Sequence, residues 1–151
     1  MAACVFFGHR ECHNMDSRAL AAAIEALIKK GVDTFYVGNQ GQFDGIVYSL
    51  LKQFREKYPH IRICVVLAYL PEKQGDVPAD SMYPEIEGHP KFAIARRNRW
   101  MVDASDYCIC WIDHPWGGAW KFAKLARRRG KMVINLGKVT DLPRWNFQAD
   151  M

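Results

Sequence analysis

The sequence predicts an α/β protein, a Rossmann-like open parallel sheet of about five strands with helices on both faces, and three observations carry that prediction. Short, continuously apolar runs such as residues 107–112 (YCICWI) and 131–136 (KMVINL) lack the polar face of a surface helix and fit strands buried on two sides. Between them lie segments with apolar residues at three- and four-residue spacing, the period of an amphipathic helix. Glycine turns follow the runs and open the helices, as at HPWGGAWK, where Gly117 and Gly118 come directly after a strand.

In chain order, residues 3–7 (ACVFF) form a strand that ends in Gly8-His9-Arg10. Asp16-Ser17 supplies an N-cap for a helix over 18–30, with Leu20, Ile24, Leu27 and Ile28 on one face and Gly31 as its stop. Residues 34–37 (TFYV) are a second strand running into Gly38-Asn39-Gln40-Gly41, a turn that uses the backbone freedom of glycine or brings main chain close to a bound group. A helix over 43–58 turns Ile46, Val47, Leu50, Leu51 and Phe54 inward, and Pro59 ends it. Residues 61–68 (IRICVVLA) are the most hydrophobic strand and are placed centrally. Residues 72–90 carry glycine and proline breakers and no stable period, so a surface excursion is expected there, a lid or binding loop more than plain disorder. A helix over 91–104, with Ile94, Trp100 and Met101 inward, leads into the strand at 107–112, the glycine turn, a last helix and the strand at 131–136. No internal repeat interrupts this alternation.

Composition bounds the rest. The 151 residues form a single domain, 1–151, with its core at about 3–136 and an extension over 137–151 whose Pro143, Trp145 and Phe147 suggest docking. Half the residues are hydrophobic and a quarter charged, no apolar run approaches the length of a membrane helix, and the N-terminus has no signal-peptide pattern, so a cytoplasmic location is expected. The five cysteines, Cys4, Cys12, Cys64, Cys108 and Cys110, are odd in number and mostly inside apolar runs, which fits buried thiols rather than a disulfide framework. Cys108 and Cys110 share a strand face, but no CxxC knuckle accompanies them and no metal is expected. The net charge of +5 collects in Arg96, Arg97 and Arg99 and in Lys121, Lys124, Arg127, Arg128, Arg129 and Lys131. The second group reads as a solvated helix end suited to the negative pole of the dipole, or as a nucleic-acid surface.

In open parallel sheets ligands collect beyond the carboxyl ends of the strands, where the strand order reverses. The loops 8–16, 38–44, 69–90 and 113–120 all belong to that edge. At Gly117 and Gly118 free backbone N–H groups and a helix dipole favour an anion. Arg10 offers the paired donors that suit a phosphate, or it pairs with an acidic neighbour, and His9 either binds or merely closes a turn. Asn39, Gln40 and Asp44 match the hydroxyl and amide edges of a ribose or base, although Asp44 also fits a first-turn helix charge that needs no ligand. GNQG is not GxGxxG and GGAWK is not a P-loop, so neither dinucleotide oxidoreductase nor NTPase chemistry follows from pattern, and no cofactor is implied. Together the turns make a nucleotide or sugar-phosphate pocket the leading expectation, built from Gly8, His9, Arg10, Gly38, Asn39, Gln40, Gly41, Asp44, Arg97, Gly117 and Gly118.

The combination FFGHR, FYVGNQGQFD, VVLAYLP, RNRWMVDASDYCICWID, WGGA and GKMVINL, in this order over roughly residues 4–136, resembles the SLOG superfamily in a small bacterial branch. That superfamily includes the Lonely Guy phosphoribohydrolases, the DNA-processing protein A group and domains thought to sense nucleotide-derived ligands. The resemblance implies a Rossmann-like fold binding a nucleotide or an ADP-ribose-like molecule, commonly as a dimer. It also exposes departures from the Lonely Guy pattern. Arg97, Met101, Gly117 and Gly118 match it, but Trp120 stands where a third glycine would be, Lys121 where a threonine would be and Lys124 where the catalytic glutamate would be. An ammonium repels the cationic charge that a carboxylate would stabilise. The expectation is therefore a small-molecule binding or sensing domain for a nucleotide or nucleotide-sugar. N-glycosidic hydrolysis, with Asp44 or Glu85 as the carboxylate, is the alternative, and binding of single-stranded DNA through the arginine-rich helices comes third because aromatic residues are not interleaved with the basic ones.

Overall fold

In the computed structural model, residues 2–71 and 73–139 are described. They form one six-stranded, wholly parallel sheet between two helical layers. In chain order the elements are β1 (Ala2–Gly8), α1 (Ser17–Lys29), β2 (Val32–Val37), α2 (Gln42–Lys57), β3 (Arg62–Val66), β4 (Ser81–Met82), α3 (Ala93–Asp103), β5 (Tyr107–Trp111), α4 (Gly118–Arg128) and β6 (Met132–Asn135). Across the sheet the order is β4-β3-β2-β1-β5-β6. The chain thus winds outward from β1 in one direction and then returns to build on its other side, so the reversal falls between β1 and β5.

Alternation along β1 sets the two layers. Cys4 and Phe6 face the side covered by α1 and α2, where Leu20, Ile24, Leu27, Phe43, Val47 and Leu51 are buried. Val5 and Phe7 face the other side, with Met101 and Val102 of α3 and Phe122, Ala123 and Ala126 of α4. Since both faces are covered, the inner strands β1 and β5 are apolar without interruption, the pattern that marked them in the sequence. Asp16 caps α1 as expected, its Oδ1 accepting from the Arg18 N–H at 3.0 Å and the Ala19 N–H at 3.4 Å. All five cysteines are free and buried, and Cys108 and Cys110 lie in the same apolar layer.

The expectation of about five strands is corrected to six. Within the 72–90 excursion, Ser81 and Met82 pair in parallel with Val65 and Val66 as an edge strand. A two-residue strand carries no readable period, and its anchor comes from outside it: Asp80 accepts from Tyr48 Oη at 2.8 Å and from Arg55 Nη1 at 2.7 Å, both on α2. The helix expected over 91–104 begins at Ala93 instead, after a single 3-10 turn at Pro90–Phe92. Of the 137–151 extension, Val139 donates its N–H to the Ile112 carbonyl at 3.1 Å, whereas Pro143, Trp145 and Phe147 lie outside the described residues. No helix among the described residues is long and apolar enough to cross a membrane.

Candidate functional site

The reversal between β1 and β5 opens a cleft of about 660 Å³ at the carboxyl edge of the sheet. Its walls come from the loops after β1, β2 and β5, and its floor from α3. Gly8, His9 and Arg10 line it with Gly38, Gln40 and Asp44, with Arg97 and Asn98, and with Asp113, His114, Gly117 and Gly118. Nine of the eleven expected binding residues therefore share one cavity. Asn39 is exposed and Gly41 caps α2 just behind the wall, so neither lines it. Glu85 lies elsewhere, in a groove with Tyr69, Leu70, Tyr83 and Ile86.

The first two loops are stitched to each other. Gln42 donates its N–H to the Arg10 carbonyl at 2.8 Å, Cys12 donates to Gln42 Oε1 at 3.0 Å, and Arg10 Nη2 reaches Gln40 Oε1 at 3.3 Å. Gly8 is required by packing: a β-carbon there would fall 2.2 Å from the buried Phe43 ring, which brings the start of α2 against the end of β1.

Arg97 and Asp44 form the cleft's charged floor. Arg97, only 4% exposed, donates from Nη1 to the Val66 carbonyl at 2.9 Å and from Nε to Asn98 Oδ1 at 2.7 Å, tying α3 to the end of β3. Asp44 Oδ2 accepts from the Gln40 N–H at 2.9 Å, closing the first turn of α2. Gly38 fits beneath both, since a β-carbon would lie 2.9 Å from Asp44 Oδ2 and 3.1 Å from Arg97 Nη1. Burial pushes the Asp44 carboxyl up to about 6, against the lowering pull of the Gln40 N–H and the Arg97 and Arg10 guanidinium groups. Burial also lowers the Arg97 guanidinium from its ordinary value.

Across the cleft the last loop is organised by rings. His9 Nε2 accepts from the Asp113 N–H at 3.1 Å, and its ring meets Trp111 edge-on at 5.7 Å. His114 stacks on His9 at 3.6 Å and 15°, and Trp116 stacks on His114 at 4.1 Å and 24°. Burial and the neighbouring His114 lower the His9 imidazole from its usual range, so it stays a neutral acceptor for Asp113. Asn135 holds the loop from below, taking the Ile112 N–H at 2.9 Å and the Gly137 N–H at 2.9 Å on its Oδ1. Reasoning from sequence missed His114, Trp116, Asn98 and Asn135. The HPWGG run was a usable signal for the first two, but nothing local marks the others.

The two glycine-capped helices differ in what meets their N-termini. Gly41 and Gly117 have nearly the same backbone, φ 91° and ψ 174° against φ 95° and ψ 175°. The α2 terminus is closed by the chain itself, through the Arg10 carbonyl and the Asp44 carboxylate. At α4, Gly117 and Gly118 are exposed, and a β-carbon on Gly118 would meet no atom within 4 Å. Lys124, in the position of the Lonely Guy glutamate, does not line the cleft, and its Nζ lies 4.4 Å from the centroid of the Trp120 ring. Among the described residues no group of three or more His, Cys, Asp or Glu side chains is placed to hold a metal ion.

This is an open, parallel α/β fold with its cavity at the topological switch point. Solved structures of similar fold include DNA processing protein A from Streptococcus pneumoniae, with a TM-score of 0.61 and 14% identity, matched over 89% of this chain and 50% of that one. They also include DNA processing protein A from Helicobacter pylori, described for its binding of single-stranded DNA, with a TM-score of 0.65 and 15% identity over 99% of this chain and 78% of that one. The chain thus spans half the length of the Streptococcus structure. No family model and no curated protein sequence matches it. At these identities the likeness establishes the fold.

Proposed function

We propose that the cleft binds a phosphorylated nucleotide unit, with its phosphate on the open N-terminus of α4 at Gly117 and Gly118 and Arg10 on the facing wall. The observation that carries this reading is the convergence of three strand-end loops on one cavity, in which one of two similar helix starts is exposed and, among the described residues, has nothing within 4 Å of a β-carbon built on its first residue. Binding rather than hydrolysis is favoured because the site has a lysine turned away where the resembling enzymes carry a glutamate. A carboxylate remains in Asp44, and it is committed to the Gln40 N–H.

The unit has two possible sources. A free nucleotide or ADP-ribose-like molecule is what the SLOG resemblance implies. A nucleotide within single-stranded DNA is supported by the Helicobacter pylori neighbour, and of the two it alone has support from outside the sequence. The net charge of +5 suits it as well. The test is fluorescence anisotropy of a 5′-phosphorylated, 3′-labelled oligodeoxythymidine, followed against salt, with AMP and ADP-ribose as competitors. DNA binding gives an affinity that falls steeply with salt, by a slope of about −0.7 per phosphate neutralised. Failure of the oligonucleotide, with a thermal shift on AMP or ADP-ribose, assigns the site to a free nucleotide. Silence of all three at low salt overturns the proposal, and release of free base that is lost in Asp44→Asn would make the protein a hydrolase.

A further inference from the structure

Trp116 is 63% exposed, an unusual position for a large ring, yet it does not hang free. It ends a ladder that begins inside the protein: Trp111 meets His9 edge-on, His9 stacks on His114, and His114 stacks on Trp116. The inner rung is fixed, since His9 is 9% exposed and takes the Asp113 N–H on Nε2. His114 covers one face of the indole, so the exposed area belongs to the opposite face and the edges. The orientation of an exposed ring is thereby set before any ligand arrives, which lowers the entropic cost of stacking on it.

Trp116 immediately precedes Gly117, so its ring projects from the same turn that opens α4, beside the residues that line the cleft rather than among them. A nucleotide places its phosphate and its base on either side of one sugar. We infer that the outer face of Trp116, backed by His114 and His9, is the shelf on which the base of the phosphorylated ligand stacks. This rests on the proposed phosphate seat and adds to it the part of the ligand that the ring at the cleft's rim selects, a planar aromatic base rather than a bare sugar phosphate. Stacking recognises the ring by its face, so the shelf discriminates weakly among the bases and strongly against ligands without one.

The experiment compares AMP, ribose 5-phosphate and a 5′-phosphorylated oligodeoxythymidine by calorimetric titration of the wild type, Trp116→Ala and Trp116→Phe. The shelf predicts that AMP or the oligonucleotide binds at least about tenfold more tightly than ribose 5-phosphate. It also predicts that Trp116→Ala removes that advantage without changing ribose 5-phosphate binding, and that Trp116→Phe keeps most of it. Whichever of AMP and the oligonucleotide shows the loss identifies the source of the base. Because the ring is exposed, both variants keep the wild-type melting temperature, which checks the fold. Equal binding of AMP and ribose 5-phosphate, unchanged in Trp116→Ala, overturns the shelf and leaves the phosphate seat standing. If none of the three ligands binds the wild type, the seat fails and the shelf with it.

Discussion

Helices α2 and α4 start from glycines of nearly identical backbone geometry, at the same edge of the same sheet, and their N-termini meet opposite fates. The α2 start is folded into the protein: Arg10 supplies a carbonyl to Gln42 N–H, and Asp44 turns back to the Gln40 N–H. The α4 start is exposed, and among the described residues no atom lies within 4 Å of a β-carbon built on Gly118. An exposed terminus dominated by N–H groups is attractive to an anion only while nothing else occupies it. The difference therefore separates the two glycine turns that look alike in the sequence. The turn at 38–41 builds the wall, and the turn at 117–118 is the one with room for a ligand.

Stability should show that separation most strongly. Gly41→Ala forces a left-handed φ on alanine and brings the new β-carbon to 2.8 Å from Arg10 Cα, a backbone atom that cannot swing away. Gly117→Ala carries the same strain, but its nearest neighbour is the His114 ring at 3.9 Å. The first variant is expected to lose about 2 to 3 kcal/mol and the second about 1 to 2 kcal/mol, measured by urea unfolding. Equal losses would mean that the α2 start is no more closed than that of α4.

Much of the fold was legible because parallel strands covered on both faces read as largely apolar runs, and each helix carried its own period. The edge strand at Ser81 was not, since it is fixed by Tyr48 and Arg55 through Asp80, a contact that links residues far apart in the chain. The gathering of the candidate residues around one cavity was legible by the same logic. Strand-end loops of an open sheet must meet at one edge, which brought Gly8, Gly38 and Gly117 together without any knowledge of side chains. What the sequence did not show is how each polar group is spent. Arg97 had the composition of a phosphate ligand, but two of its nitrogens are engaged with Val66 and Asn98. Asp44 is a helix-turn acceptor, the plainer of its two readings, and the aromatic ladder depends on a contact between His9 and His114 across the cleft mouth.

A second change makes the open terminus resemble the closed one. Gly118→Asp places a carboxylate on the first residue of α4, where the dipole favours it by a few tenths of a kcal/mol and no neighbour obstructs it. Folding stability is expected to stay level or rise slightly, while affinity for a phosphorylated ligand falls roughly tenfold or more through like-charge repulsion. Retention of full affinity in calorimetric titration would place the phosphate elsewhere in the cleft.

The smallest effect concerns the carboxylate that closes α2. Asp44 holds its proton up to about 6 in the fold, against 3.8 ordinarily, so the folded state binds more protons than the unfolded one between those values. Its ionisation therefore costs stability: the penalty is absent below about pH 4, grows as pH rises through the window and is complete above about pH 6. Asp44→Asn keeps an oxygen for the Gln40 N–H and cannot ionise, so it lacks this slope. Thermal melts of both proteins between pH 4 and pH 7 are expected to show the wild type gaining on the variant as pH falls, whatever their offset at neutrality. A difference that stays constant across that range would mean that Asp44 titrates as an ordinary surface carboxylate, and that the wall at Gly38 is open to water.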